Sequence, residues 1–450
     1  MTKHLFTNIR VPIECDNPSI MRDESKCISC GACKNVCQFN VGVYGYYDLE
    51  KTTKAICTNC GSCANICPTR SILEVKDYLK VKKIVNKDKT VIFITSPAVR
   101  VAIGEEFDMK LGTNAEGKLI SVLRKLGANY VFDTTFGADL TIMEEANELV
   151  ERLKNNKNLP MFTSCCPAWV KFCETFYPEY LKNLSTAKSP ISMQGSIIKT
   201  YFANLANIKK EDIITVAVTP CTAKKAEIKR SEFNNDIDYV ITTRELSDWI
   251  HEENIKFANL ENSKYDDIMN RGTGAGLIFG SSGGVMEAAL RQAYKIITGK
   301  NPPDKLLNLE EVRGLANIKE ASIKIGDYKL KVAVINGTGD ARKVIEQLKN
   351  KEVNYDFIEV MSCEGGCIAG GGQPRIYFPI TNDIKEARMK AIYKADNKDK
   401  YRVADENKDI IKIYNEFLEK PLSRKSHELL HTNYINRKKE LKEGIKNEIK

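Results

Sequence analysis

The sequence predicts two parts of different fold class: a small α+β module at the N-terminus and a large α/β domain with parallel sheets covered by helices. Three observations predict this division of the 450 residues. A cysteine-rich motif occurs twice near the N-terminus, apolar strands alternate with amphipathic helices after about residue 83, and several strands run directly into cysteines. We therefore expect domains at 1–80 and 81–432, followed by a charged C-terminal tail at 433–450.

The composition is that of an ordinary globular protein, with 42% hydrophobic and 28% charged residues. No run of ~18 apolar residues occurs, so we expect no membrane span. The N-terminal residues lack the apolar centre of a signal peptide, which predicts a cytoplasmic protein. The net charge of +9 comes without a nucleic-acid-binding motif, so we expect no nucleic acid partner; an acidic redox partner and ordinary solvated lysines explain the charge equally well.

Fifteen cysteines against four histidines are the strongest chemical signal in the composition. Clustered cysteines in a cytosolic chain of this length indicate metal ligands or catalytic groups rather than disulfides. The few histidines argue against a zinc or copper enzyme built on imidazole ligands. Two of them share the segment SHELLH at 426–431, where the single acid is offset from the zinc-protease order.

The N-terminal repeat has the spacing of two cubane iron–sulfur clusters. CISCGACKNVC at 27–37 recurs as CTNCGSCANIC at 57–67, and each copy is the run of bacterial two-cluster ferredoxins, whose fourth cysteine binds the other cluster. This spacing predicts a ferredoxin-like module that carries electrons through two 4Fe–4S clusters. One cluster would be held by Cys27, Cys30, Cys33 and Cys67, and the other by Cys37, Cys57, Cys60 and Cys63. A pair of zinc knuckles is the alternative, which the spacing of the fourth cysteine disfavours.

Short apolar runs mark the strands of the large domain. They lie at 91–95, 159–163, 214–218, 331–335 and 357–361. Amphipathic stretches such as 143–154 and 339–349 separate them, which is the pattern of parallel sheet with covering helices.

Four cysteines follow these strands closely and are expected to converge, because ligand sites in such sheets lie beyond the carboxyl ends of the strands. They are Cys166, Cys221, Cys363 and Cys367. Four converging thiolates can hold a third cubane. The alternative for any one of them is an isolated buried cysteine that packs as a small hydrophobic residue, but their shared position at strand ends favours a site.

Three long motifs in these segments resemble those of the FeFe-hydrogenases. They are TSCCPAW at 163–169, PCTAKKAE at 220–227 and EVMSCEGGCIAGGGQP at 359–374, in the family's order and after the two-cluster module. The resemblance runs from about residue 17 to 431. It implies an oxidoreductase that reversibly interconverts protons and electrons with molecular hydrogen. Its implied partners are ferredoxin or a similar low-potential carrier, and the maturation proteins that install its catalytic cluster.

The resemblance also implies which residues hold that catalytic cluster, the H-cluster. The same four cysteines would bind its 4Fe–4S cubane, and Cys367 would bridge to a diiron unit with carbonyl, cyanide and azadithiolate ligands. Lys224 would donate to one cyanide, and Pro97 would place the backbone amide of Ala98 near the other. The remaining implied contacts of the diiron unit are Ser189, Pro190, Thr219, Pro220, Phe279, Met361 and Gly371.

A proton relay to the H-cluster is implied in the same way. Cys165 directly precedes a cubane ligand and is the natural proton donor to the bridging amine. The relay would continue through Glu145, Ser185 and Glu148 to Arg152 near the surface. The two glutamates are three residues apart and share one helix face; without the motifs, two solvated acids would be the simpler interpretation.

Two positions depart from the best-known members of the family. Thr219 stands where they carry Met, and Ile191 stands where they carry Gln. Both would lie against the diiron unit, so we expect catalytic rate, direction and oxygen sensitivity to differ from those members. The chain therefore resembles a divergent subgroup.

Three other functions remain open within the same fold. Non-enzymatic iron–sulfur assembly proteins share it, but Cys165, Lys224 and the relay glutamates favour an enzyme. Hydrogen sensors usually lose the relay cysteine and carry signalling domains, and we find neither feature. An electron-bifurcating subunit would often carry extra N-terminal cluster motifs, which this sequence does not show.

Overall fold

The computed structural model describes residues 9–48, 52, 54–85 and 87–441. The first eight residues, which contribute to the expectation of no signal peptide, lie outside the described residues, and so do residues 442–450 of the expected tail. Within the described part, none of the helices combines the length and the apolar character that crossing a bilayer requires.

The described residues form ten strands in three sheets. The strands are β1 Ile20–Arg22, β2 Ile72–Glu74, β3 Thr90–Thr95, β4 Tyr130–Asp133, β5 Met161–Phe162, β6 Ile213–Thr219, β7 Tyr239–Thr242, β8 Ile318–Ile325, β9 Tyr328–Asn336 and β10 Phe357–Met361. The α-helices are α1 Ala32–Phe39, α2 Ser62–Asn65, α3 Tyr78–Val81, α4 Pro97–Arg100, α5 Glu116–Lys125, α6 Thr134–Asn155, α7 Pro167–Phe176, α8 Pro190–Ile197, α9 Ala203–Leu205, α10 Lys224–Glu227, α11 Thr243–Glu252, α12 Gly274–Ile278, α13 Gly284–Thr298, α14 Asp304–Leu307, α15 Thr338–Lys349, α16 Asn382–Lys398, α17 Lys408–Ile413 and α18 Arg424–Leu430.

The first large sheet is fully parallel, with the strand order β4-β3-β6-β7. Successive side chains of β3 point into different cores, Ile92 and Ile94 into one and Val91 and Phe93 into the other. Both faces are therefore covered, which explains why the strand is a continuous apolar run. The strand order reverses between β3 and β6, and a ligand crevice forms at such a point beyond the carboxyl ends of the strands.

The second large sheet has the strand order β5-β10-β9-β8. β5, β10 and β9 are parallel, which confirms the predicted parallel sheets covered by helices. β8 pairs antiparallel with β9, and the apolar-run pattern does not predict it. Its sequence IKEASIKI alternates charged or polar with apolar residues and is partly exposed, which suits an edge strand with one face in water.

The N-terminal module is an α+β unit in which the two cysteine runs adopt the same local structure. Each run turns into a short helix, α1 or α2, directly after a left-handed glycine, Gly31 with φ 81° or Gly61 with φ 74°. Any other side chain would be strained there, which explains the glycine after the second cysteine of each run. The antiparallel pair β1 and β2 completes the module.

The module packs directly against the large domain. Val41 and Val43 share a buried apolar cluster with Trp169 of the large domain. The Thr338 hydroxyl donates to the carbonyl oxygen of Val41 at 2.6 Å. Apolar burial and hydrogen bonding therefore hold the two cysteine runs at a defined place beside the large sheets.

Candidate catalytic site

A cavity lies where the carboxyl ends of the two large sheets meet. β3 leads into Pro97, β6 into Cys221, β5 into Cys166 and β10 into Cys363, and all four residues line the cavity. Cys367, in the turn that follows, lines it as well. The four cysteines expected to hold the third cubane are thus brought together, because the carboxyl ends of parallel strands meet at one edge of a sheet.

Most of the other predicted contacts also line this cavity. They are Ala98, Cys165, Pro190, Thr219, Pro220, Lys224, Phe279 and Met361. Residues without a sequence prediction line it too, namely Ser96, Thr134, Ala138, Pro167, Gly280, Ser362 and Gly366. Ser362 directly follows β10, so the strand-end rule that selects the cysteines would have found it, whereas Thr134 follows β4, which is not among the predicted apolar runs.

Lys224 is held at the cavity wall by buried partners. Its ammonium group donates to the carbonyl oxygen of Cys165 at 3.2 Å and to Glu227 at 2.8 Å. Burial alone would lower the pKa of Lys224, but the Glu227 carboxylate outweighs it and raises the pKa, so the group stays charged. Ser189, predicted as a contact of the diiron unit, does not line the cavity; its hydroxyl turns away and donates to Glu227 at 3.1 Å.

Gly371, also predicted as a contact of the diiron unit, faces the N-terminal module instead. A Cβ atom on it would lie 2.3 Å from the carbonyl oxygen of Cys60 and 2.8 Å from the Cα atom of Gly61. Beside this contact, the Thr222 hydroxyl donates to the carbonyl oxygen of Asn59 at 2.7 Å. The loop with a predicted cubane ligand of the module therefore touches two loops of the catalytic cavity.

The two departures from the family pattern both face the cavity. Ile191 and Thr219 line it. The Thr219 hydroxyl accepts a hydrogen bond from the backbone amide of Cys221 at 2.8 Å. Its own hydrogen is therefore available to a ligand in the cavity, whereas Ile191 presents only apolar surface there.

The cavity fits a group larger than a single ion. The thiols of Cys166, Cys221, Cys363 and Cys367 line the cavity together with mostly apolar residues. Among the described residues, no three His, Cys, Asp or Glu side chains form a site for a single metal ion. Burial raises the pKa of Cys166, Cys221 and Cys363, and such thiols ionise when they coordinate a metal. The buried hydroxyls of Thr134 and Ser362 lack a hydrogen-bond partner in the described part of the chain, so they are available to polar ligands of a bound cluster.

The residues of the predicted relay lie together behind Cys165. Burial and the nearby Glu145 raise the pKa of Cys165. Glu145 is buried, and its carboxyl oxygens make no hydrogen bond of ordinary length and angle among the described residues, although Ser185 lies close enough to lower its pKa. Burial and the charge of Glu148 raise the pKa of Glu145 to about 8, so it holds a proton at neutral pH. Ser185 donates to Glu148 at 2.9 Å, and Arg152 pairs with Glu148 at 2.6 Å.

The cysteines of the module lie in two groups. One small cavity is lined by Cys27, Cys30, Cys33 and Cys67. The other predicted set is close enough for its members to affect one another: burial raises the pKa of Cys37 and Cys63, and the charges of Cys57 and Cys60 raise it further. Cys30 is exposed, whereas Cys60 and Cys63 are buried, so the first set lies at the surface and the second lies deeper.

Comparison with known families decides the class. Residues 89–371 match the family model described as iron only hydrogenase large subunit, C-terminal domain. The chain belongs to the iron-only hydrogenases. Residues 382–437 match the iron hydrogenase small subunit, and residues 20–41 match a 4Fe-4S binding domain. This hydrogenase is therefore an iron–sulfur oxidoreductase, and family and fold support iron–sulfur clusters and an H-cluster as its cofactors.

The hydrogenase is similar to named relatives over most of its length. It is 43% identical over 447 residues to the NADP-reducing hydrogenase subunit HndD of Solidesulfovibrio fructosivorans, covering 94% of this chain and 75% of the relative. It is 42% identical over 436 residues to iron hydrogenase 1 of Clostridium pasteurianum, covering 92% and 76%. A solved apo variant of FeFe-hydrogenase HydA1 from Chlamydomonas reinhardtii matches with a TM-score of 0.71 and 37% identity, covering 81% of this chain and 100% of that chain.

A more distant similarity connects the hydrogenase to proteins of a different function. It is 28% identical over 380 residues to the cytosolic Fe-S cluster assembly factor narfl of Xenopus tropicalis, covering 80% of this chain and 78% of that protein. The higher identity to proteins named as hydrogenases places the chain with the enzymes.

Proposed function

We propose that this hydrogenase catalyses the reversible conversion of protons and electrons to molecular hydrogen at a diiron unit bridged to a 4Fe–4S cubane. When bound, the diiron unit supplies the open iron position at which the hydrogen–hydrogen bond forms or breaks. The observation that carries the proposal is one cavity in which four thiols, Cys165 and Lys224 meet. Cys166, Cys221, Cys363 and Cys367 would hold the cubane, and Cys367 would bridge to the diiron unit.

The chain supplies a fixed cation, a backbone amide and apolar walls around the diiron unit. Lys224, oriented by Glu227, would donate to an anionic cyanide ligand. The amide of Ala98 would serve the second cyanide. Phe279 and Met361 are buried in one apolar cluster that lines the cavity, so they exclude water from the reacting atoms.

The proposed proton path includes one carboxyl group, Glu145, whose raised pKa of about 8 keeps it protonated at neutral pH. Cys165 would hold the proton that reaches the bridging amine. Glu145, protonated because of its burial, would resupply Cys165. Ser185 would connect Glu145 to Glu148, to which it already donates a hydrogen bond, and Arg152 would orient Glu148.

Electrons would enter through the two 4Fe–4S clusters of the module. The surface set of cysteines would hold the first cluster, and the deeper set would hold the second, with the ligands that their spacing predicts. The deeper set lies beside the catalytic cavity, where Asn59 meets Thr222 and Gly61 meets Gly371. This contact joins the module directly to the loop of Cys221.

Ferredoxin or a similar acidic low-potential carrier is the proposed electron donor. The surface around the first cluster site combines exposed Cys30 with Ile28, which is 65% exposed. Arg22 lines the same site, and Lys26 and Arg70 are exposed beside it. Glu24 pairs with Arg22 and Asp23 pairs with Lys26, so the proposed complementarity to an acidic redox protein rests on the apolar centre and on Arg70 in particular.

The proposal is tested by hydrogen evolution from the anaerobically prepared chain, loaded with its cubanes and a synthetic diiron cofactor and driven by reduced viologen. Cys165→Ala should lower the rate by about 100-fold or more, because the last proton carrier is removed. Cys15→Ala is the matched control, since this exposed thiol lies outside the cavity.

The outcomes separate the parts of the proposal. Full activity in Cys165→Ala would refute the proton path while keeping the enzyme. No hydrogen evolution from the wild-type chain, at a verified full iron load, would contradict the proposed reaction. That result would favour a role in iron–sulfur cluster assembly, the function of the more distant relatives.

We also infer a cytoplasmic site of action. Because the chain itself does not make the ligands of the diiron unit, we infer that the enzyme depends on maturation proteins. The division at 1–80, 81–432 and 433–450 then has a functional meaning. The first part admits electrons and the second performs catalysis.

A further inference from the structure

The proposed proton relay ends at a residue that does not release protons. The Arg152 side chain is 10% exposed, and its guanidinium donates to the carbonyl oxygens of Asn158, Asn183 and Leu184 as well as to Glu148. A guanidinium in a protein stays protonated and has no acceptor atom. Arg152 can orient Glu148, but protons need another way between Glu148 and solvent.

Thr186 connects Glu148 to a histidine on its other side. The Thr186 backbone amide donates to Glu148 at 3.0 Å, and its hydroxyl lies 2.8 Å from Nδ1 of His431. The amide and the hydroxyl of one threonine are separated by a short covalent path. The carboxylate of Glu148 and the ring of His431 therefore flank the same residue.

A second carboxylate sets the orientation of His431. Its Nε2 lies 3.0 Å from Glu144, which also accepts from the Tyr414 hydroxyl at 2.5 Å and from the Leu422 amide at 2.8 Å. Because Glu144 acts as the acceptor, we assign the hydrogen to Nε2, which leaves Nδ1 facing the Thr186 hydroxyl. Nδ1 accepts from that hydroxyl when the ring is neutral and donates to it when the ring is protonated.

His427 extends this arrangement to solvent. Its ring centroid lies 4.3 Å from that of His431, and the residue is exposed. Burial and His431 lower the pKa of His427, while Glu144 and Glu148 act in the opposite direction. These four groups are therefore within electrostatic reach of one another.

We propose that His427 and His431 form the outer proton-exchange site of the relay and that Thr186 passes protons between His431 and Glu148. During hydrogen evolution the histidine pair takes a proton from solvent. Nδ1 of protonated His431 then gives its proton to the Thr186 hydroxyl oxygen, and the hydroxyl gives its own proton to Glu148 after a turn about the Thr186 Cα–Cβ bond, because in this structure the Thr186 backbone amide, not the hydroxyl, contacts that carboxylate. Each hop conserves the number of protons. During hydrogen uptake the same hops run in reverse. The proposal rests on the proposed function.

The charges around the pair favour proton capture. Glu144, Glu148 and Glu151 from α6 act on His427, and Tyr414, from the π-helical turn Tyr414–Leu418, bonds Glu144. Arg424, Lys425 and Glu428 lie on α18 with the pair. Arg152 is already paired with Glu148, so acidic side chains predominate on the α6 side. Such a surface raises the local concentration of protons.

The test compares wild-type enzyme, the double variant His427→Gln/His431→Gln and Thr186→Val in hydrogen evolution at saturating reduced viologen. The double variant should lose roughly tenfold in rate, its pH profile should lose the step in the histidine range, and free imidazole should restore part of the rate. Thr186→Val keeps both rings and should slow turnover without removing that step. His251→Gln is the matched control, because this histidine stacks on Phe107 elsewhere in the fold and should match wild type.

An unchanged rate and pH profile in the double variant, at wild-type iron content, would overturn the proposal. So would full activity in Thr186→Val. A slower double variant with an unaltered pH profile and no imidazole rescue would show a merely structural role, which also overturns it. A wild-type enzyme that evolves no hydrogen would overturn the proposed function first, before any histidine is changed, so the two failures are distinguishable.

Discussion

Burial and a few neighbouring side chains set the protonation state of single residues at the candidate site. Glu145 and Lys224 are both enclosed, yet one is held neutral and the other charged. Glu145 lies near the charge of Glu148 and has no hydrogen-bond partner of ordinary geometry among the described residues, whereas Lys224 has the carboxylate of Glu227. Two titratable groups whose surroundings hold one neutral and the other charged are the kind of division that acid–base sites use.

We expect Glu145 to hold its proton at neutral pH and to lose it as the pH rises through about 8. The raised pKa means that the folded protein binds this proton more tightly than the unfolded chain. The associated stability is present below the ordinary pKa of 4.5 and is lost as the pH rises through about 8. Infrared difference spectra of the loaded enzyme should show a buried carboxylic acid at neutral pH.

Glu145→Gln should remove that infrared band, and Glu151→Gln, which changes an exposed acid on the same helix, should leave it in place. A wild-type spectrum without a protonated buried carboxyl group at neutral pH would contradict the pKa shift. Persistence of the band in Glu145→Gln would assign it to another residue.

Elements meet most closely where the module touches the large domain. The loop of Gly61 and the loop of Gly371 approach with their backbones, and the Thr222 hydroxyl bonds the carbonyl oxygen of Asn59 beside them. Arg244 adds a buried clamp, since it pairs with Glu74 of the module and donates to the large-domain loop. These contacts form one seam between the module and the large domain, and the seam joins the loops of two predicted cluster sites.

Gly371→Ala should therefore disturb the seam. Its Cβ atom would meet backbone atoms of Cys60 and Gly61, which cannot yield as a flexible side chain can, so the module must shift at a cost of about 1–3 kcal/mol. Anaerobic calorimetry of the loaded enzyme should show a lower unfolding temperature. Gly104→Ala is the control, because its Cβ atom would meet only the flexible side chain of Met109. Equal unfolding temperatures for the two variants would show that the seam is not tightly packed.

In the proposed function the whole molecule is an electron entrance joined to a catalytic cavity, so its surface charge should affect only the entrance. Replacing Lys26 and Arg70 with Gln should flatten the salt dependence of hydrogen evolution driven by reduced ferredoxin, because these exposed cations attract an acidic donor. Evolution driven by reduced viologen should not change. Replacement of Lys305 and Lys390, both exposed and remote from the cysteines, is the control. An unaltered salt dependence in the Lys26/Arg70 variant would refute docking at this surface.

The cysteine ligands and the parallel sheets can be predicted from the sequence because both follow simple rules. Cubane ligands need fixed spacing, and parallel strands bring distant residues to one edge. The rules do not say which way a loop residue turns, so Ser189 and Gly371 could not be separated from true cavity residues. Nor do they reveal the edge strand β8, or the contact of Thr186 with His431, which joins positions 245 apart.

The central claim is that hydrogen is made and split in the cavity of the large domain. Isotope exchange tests it most directly, since it needs no electron donor: the loaded enzyme is kept under deuterium gas in ordinary water, and HD and H2 are followed by mass spectrometry. We predict steady release of both gases from wild type and from Cys15→Ala, and a large loss in Cys165→Ala. Wild-type enzyme that carries its full iron load and leaves the deuterium unchanged would contradict the account.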